Sequence, residues 1–252
     1  MVFEQGKLTR ADRRVNHIRS STSPEFVVVN RFYDVEMLPI IDNIANKSFD
    51  ARLKVPLRKY LVISCVSLIE DFMIKRARRM IDEYKIDCSG LVRKDIEVLL
   101  SEHEQRTKQR LSRGEYILLK RNFANLDEIN SVFSKLLKSD PDFNALNIDF
   151  FDAVKKIDWY DPYKYIKGAR SIFLNWDNFV KMFDVRTEIV HEMGNIKFSD
   201  NKLFSLCDNT MNFLDATDFI CNPEFKQHVI DRLKSDKTIR QRNAILWKKY
   251  RI

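Results

Sequence analysis

Glycine and proline are scarce in this chain, with 5 and 6 residues among 252. Sandwiches, barrels and doubly wound sheets need turn residues at every reversal, so the scarcity excludes them and favours long helices with few connections. Cysteine is scarce as well. Cys65, Cys88, Cys207 and Cys221 include no CxxC pair and no close Cys/His spacing, which excludes a disulfide framework and a structural zinc site. No stretch reaches 18 uninterrupted apolar residues, and the opening MVFEQGKLTRADRR lacks the apolar core of a secretory leader. These absences predict a soluble protein of the reducing cytoplasm, without a membrane segment.

What is present is an apolar fraction of 44%, enough for a substantial core, and an excess of cations, 44 Lys and Arg against 36 Asp and Glu. The excess is localised. From Glu224 to Ile252 nine cations face three acids, and the closing IRQRNAILWKKYRI holds five cations with Trp247 and Tyr250 and no acid. A second cluster, Lys75-Arg76-Ala77-Arg78-Arg79, ends an apolar helix. Lys75, Arg76, Arg79, Arg240, Arg242, Lys248 and Lys249 are the candidates for phosphate contact, with aromatic stacking on bases beside them. The alternative for such clusters is a solvated helix end, where cations suit the dipole.

Periodicity divides the chain into residues 1–25, a mobile basic arm; 26–223, a helical domain; and 224–252, a basic C-terminal helix. Phe32, Val35, Leu38, Ile41 and Ile44 recur at helical spacing, with Pro39 as a kink. The strongest helix runs from about Val55 to Tyr84, with Pro56 in its first turn. Val92–Leu111 and Glu115–Leu137 read as helices, and Ser139–Gly168 as a short helix with loops. Asn175–Met193 is amphipathic, and Asp200 caps a helix running to about Ile220. The fold class is all-α, a bundle of long antiparallel helices with additional helices.

No GxSxG, P-loop, dinucleotide fingerprint or HExxH is present. Of the four histidines, His103 reads as a solvated helix residue, His228 as surface in a basic helix, and His17 as part of the arm. His191 differs in its neighbours. At 100° per residue, Phe179, Val180, Met182, Phe183, Val185, Ile189, Val190 and Met193 fill one arc, and Arg186 falls near its middle. A cation there is either buried with a partner or faces a site. Asp184, Thr187 and His191 share a stripe at the edge of the arc. Glu70 lies in the apolar arc of the long helix, a natural partner for Arg186. A plain inter-helix salt bridge is the alternative for that pair.

Arg186-Thr-Glu-Ile-Val-His191 has the R-x4-H form of the HEPN superfamily (higher eukaryote and prokaryote nucleotide-binding domains), and His191-Glu-Met-Gly194 resembles the run into glycine that often follows it. Ser67-Leu-Ile-Glu70-Asp-Phe72 looks like the acidic first-helix motif of RiboL-PSP and related prokaryotic HEPN groups. Many active members place Asn, His or Asp after the arginine, where this chain has Thr187. The resemblance covers about Phe32 to Phe225 in architecture, but only these two short motifs in residues.

The resemblance implies an HEPN-like bundle and a metal-independent endoribonuclease without cofactor, in which the RNA 2′-OH attacks the phosphorus. Products are a 2′,3′-cyclic phosphate and a 5′-OH. It implies His191 as acid or base and Arg186 as the phosphoryl-stabilising cation. Glu70, Asp184 and Thr187 are implied supports. Residues i and i+5 on a helix point about 140° apart, so the resemblance also implies a homodimer with a composite site. RNA, a neutralising or regulatory protein partner, and a role as toxin or in abortive-infection defence against phage belong to the same expectation. Two other readings stand beside it: a non-catalytic helical module that binds RNA or protein, and a DNA-binding helical protein. The latter lacks a helix-turn-helix pattern.

Overall fold

Asp50 starts the longest helix. Its carboxylate accepts the Arg52 backbone N–H at 2.9 Å, and from Ala51 to Asp82 no glycine interrupts the run. In the computed structural model the described residues are 29, 31–46, 50–108, 110–119, 121–157, 175–192 and 199–235. Among them every regular element is helical and no strand occurs. The helices are α1 Leu38–Ala45, α2 Ala51–Asp82, α3 Ile96–Thr107, α4 Arg113–Leu118, α5 Leu126–Lys138, α6 Pro141–Leu146, α7 Phe150–Ile157, α8 Trp176–Glu192, α9 Asp200–Cys221 and α10 Lys226–Ser235. None of these helices is long and apolar enough to cross a membrane.

The described residues fall into two units. The first draws on Met1–Leu68 and Tyr160–Met211, the second on Ile69–Trp159 and Asn212–Ile252. In the first, α1 follows a π-helical turn, Tyr33–Met37, closed by the Leu38 N–H on the Tyr33 carbonyl. Pro39 explains the wide turn, since it has no N–H for the carbonyl four residues back. The extra width moves the packed face to Tyr33, Met37, Ile41 and Ile44 and leaves Val35 63% exposed, off the face that regular spacing predicts. The core continues with Leu61, Val62, Cys65 and Val66 of α2, Phe179 and Met182 of α8, and Leu203 and Leu206 of α9. The Cys65 and Cys207 sulfurs lie 3.8 Å apart, and all four cysteines are buried and free.

In the second unit α5, α6, α7 and α10 pack together. Phe133 and Phe150 meet with ring centroids 4.9 Å apart, and Phe213 closes edge-on against Phe150 at 6.3 Å. The Glu115–Leu137 helix expected from sequence is two helices. Asn125 breaks the run, accepting the Asp127 and Glu128 N–H groups as the cap of α5. Ser139 and its neighbours add α6 and α7 rather than a single short helix, and α6 is capped by Asp140 on Asp142 N–H. Pro56 lies inside α2 rather than in its first turn, because Asp50 starts the helix five residues earlier.

Candidate functional site

The helix that carries Arg186 and His191 is fixed at its start. Asn175 caps it, accepting the Asn178 N–H at 3.0 Å, and Asn209 of α9 accepts the Asn175 N–H at 3.0 Å. Phe179, Met182, Phe183, Val185 and Ile189 form its buried face. Phe179 stacks edge-on against Phe183, and the Thr210 hydroxyl contacts the Met182 sulfur. Anchoring by this face sets the direction of every other side chain on α8.

Arg186 sits on that packed face and is half-buried. Its Nε is enclosed and has no hydrogen-bond partner among the described residues. An enclosed guanidinium N–H without an acceptor is costly, and the Nε of the ion-paired Arg58 is enclosed likewise. One turn on, Val190 is 48% exposed, so the apolar arc read from sequence opens to solvent at its C-terminal end. His191 is exposed in the last turn of α8. Cation and imidazole therefore share one helix, the first against the core and the second in solvent.

The Thr187 hydroxyl donates to the Phe183 carbonyl at 3.0 Å, so its proton is committed to its own helix. Asp184 is exposed two turns from His191, while Glu188 is exposed three residues before it. Residues three apart are helix neighbours, so Glu188 is the nearer carboxylate on this stripe. Glu70 is half-buried on α2 in the second unit, and Arg186 belongs to the first. Neither unit by itself contains the pair.

The basic cluster is divided in the same way. Lys75 is exposed and paired with Asp71 at 2.6 Å, and Arg79 pairs with Glu83 at 3.0 Å. Arg76 does not face solvent. It is 0% exposed, ion-paired with Asp218 of α9 and set over the Phe72 ring. Arg240, Arg242, Lys248 and Lys249, with the arm at 1–25, lie outside the described residues. The described residues carry 27 Lys and Arg against 30 Asp and Glu, so the chain's positive excess falls on the remaining positions.

His103 is not a solvated residue. It packs edge-on against Tyr116 at 5.6 Å, with its Nε2 enclosed, whereas His228 is exposed. Ser199, not Asp200, supplies the cap of α9 through the Lys202 N–H, and Asp200 pairs with Arg58. Among the described residues no cluster of His, Cys, Asp and Glu is suited to a metal. Comparison of the chain with protein-family models, curated proteins and solved structures gives no match.

Proposed function

We propose that this chain is a metal-independent endoribonuclease of HEPN type, acting in the cytoplasm as a toxin or in abortive-infection defence. Arg186 carries the reading: a cation on the packed face of α8, its Nε enclosed and without a hydrogen-bond partner among the described residues, one turn from the open surface at Val190 and His191. A phosphoryl group would give that guanidinium an anionic partner, which no described residue supplies.

The chemistry asks little of the protein. The substrate 2′-OH attacks the adjacent phosphorus as the P–O5′ bond breaks, leaving a 2′,3′-cyclic phosphate and a 5′-OH. His191, reachable from solvent, takes the 2′-OH proton or gives one to the departing 5′-oxygen. Arg186 neutralises charge on the non-bridging oxygens. The two side chains leave the helix about 140° apart, so the cleft is completed by two-fold pairing of α8 with a second copy.

A second reading, a non-catalytic helical module that binds RNA or protein, draws on a different observation. Asp184 and Glu188 are exposed on the same stripe as His191, and two carboxylates beside the imidazole oppose a polyanion there, which favours a protein on this face or RNA held elsewhere on the chain.

The deciding experiment is cleavage of total or transfer RNA in EDTA by wild type and His191→Ala. Cleavage that survives EDTA, leaves cyclic-phosphate ends and is lost in the variant supports the nuclease. Equal RNA binding by both proteins with no cleavage by either selects the binding module.

A further inference from the structure

Two thiols meet inside the first unit. Cys65 of α2 donates to the Cys207 sulfur of α9 at 3.8 Å, across 142 positions of sequence, and each residue is 1% exposed. Cys88 and Cys221, also buried and free, belong to the second unit. A disulfide holds its sulfurs about 2.05 Å apart, so the pair must close by about 1.8 Å. Turning one thiol between staggered rotamers swings its sulfur by roughly 3 Å, more than the closure requires.

Burial gives the pair its chemical character. The Cys65 thiol bonded to it, together with burial, pushes the Cys207 thiol well above its usual range, so the closed pair is protonated and unreactive. Local opening of α9 admits a small oxidant, and the enclosure then works the other way. A sulfenic acid formed on one sulfur closes against the other thiol, shielded from glutathione and from a second oxidant molecule that would carry it to sulfinic acid. The internal thiol resolves it at high effective concentration.

We propose that Cys65 and Cys207 form a reversible oxidation site, at which hydrogen peroxide joins α2 to α9 through a disulfide. In the open state one thiol sulfur attacks a peroxide oxygen. The O–O bond breaks, the sulfur is oxidised to sulfenic acid, and the departing oxygen leaves as water with the thiol proton. On closing, the second sulfur attacks the sulfenic sulfur, the S–O bond breaks, and that oxygen leaves as water with the second proton. Two thiols and one peroxide give one disulfide and two waters. The link spans 142 positions and so restricts the unfolded chain. Cys207 also lies two residues before Asn209, which holds the start of α8, so the oxidised chain fixes that start more firmly. The site operates whether or not the chain cleaves RNA.

The test exposes the full reduced chain to hydrogen peroxide, blocks the remaining thiols with N-ethylmaleimide in denaturant, and maps peptides without reduction. A Cys65–Cys207 linked peptide should appear, with Cys88 and Cys221 recovered as free thiols, and dithiothreitol should release it. Linking should quicken severalfold in urea below the unfolding transition, where opening is more frequent. The oxidised chain should melt about 5 °C or more above the reduced one, and the Asn175 amide should exchange more slowly. Cys65→Ala should abolish both the link and the shift. The wild-type peptide map decides the matter if circular dichroism shows that this variant does not fold. All thiols staying free in peroxide overturns the proposal, as does sulfinic acid at either position in place of the link. So does a link to Cys88, to Cys221 or between two chains, linking only after complete unfolding, or an oxidised chain that melts no higher than the reduced one.

Discussion

Asn209 accepts the backbone N–H of Asn175 at 3.0 Å and thereby ties the middle of α9 to the first residue of the α8 cap. Asn209 is 3% exposed, and its own Nδ2 reaches the Asn175 carbonyl at 3.4 Å. The orientation of Arg186 and His191 depends on this tie, because both project from α8 at angles fixed by where the helix begins.

Asn209→Leu should therefore act on stability and on function. An unsatisfied buried N–H and carbonyl cost about 1–3 kcal/mol, which a urea melt will register. If the nuclease reading holds, cleavage should fall together with the Asn175 amide's protection from hydrogen exchange. Unchanged exchange at the start of α8 in this variant would show that the tie carries no weight.

Arg76 tests the division between structural and solvent-facing cations. Removing one member of a buried ion pair leaves the other uncompensated, at a cost of about 3–5 kcal/mol. Arg76→Ala should lose that order of stability, and Arg76→Met/Asp218→Leu should recover much of it. The slope of RNA affinity against salt should be the same in the double variant as in wild type, because Arg76 is enclosed. A reduced slope would return Arg76 to the phosphate-contacting set.

Cys221 gives a pH dependence. Burial pushes its thiol up to about 12, with the Arg76 cation pulling the other way. The unfolded thiol ionises from about 8.5, so the unfolded chain binds fewer protons than the folded one above that pH. Stability is full below this point and falls as pH rises toward the folded value, by about 1.4 kcal/mol per pH unit. The urea-melt stability of Cys221→Ala should decline less steeply than that of wild type between pH 9 and 11. Parallel declines would remove Cys221 as the cause.

RNA affinity should depend on the basic C-terminal stretch more than on the described helices, where acids outnumber cations. Each phosphate contact contributes a slope of about 0.7–0.9 in log affinity against log salt. Ending the chain after Ser235 removes Arg240, Arg242, Lys248 and Lys249 and should flatten the slope by several units. His191→Ala should leave it unchanged. An undiminished slope after truncation would move the contacts elsewhere.

The helix around Arg186 was legible from sequence because its period is strong. Buried Phe179, Met182, Phe183, Val185 and Ile189 fall on the arc that 100° steps define, and Arg186 falls among them. Val190 lies on the same arc and is exposed, since periodicity gives the direction of a side chain but not how far the covering layer extends. His103 shows the same limit: a polar neighbourhood in sequence conceals its contact with Tyr116, contributed by a different helix. Arg76 lay in a run of cations that read as one surface, and only the Asp218 carboxylate 142 positions away separates it from its neighbours.

Sequence alone determined that this protein is helical, where its long helices lie, and which cation occupies an apolar face of α8. These follow from local propensity, capping and period, which act over a few residues. Tertiary structure decided which polar groups are enclosed. It placed Arg76 inside and His191 outside, and committed the Thr187 hydroxyl to its own helix. Burial is a property of what packs across from a residue, and that partner lies far away in the chain.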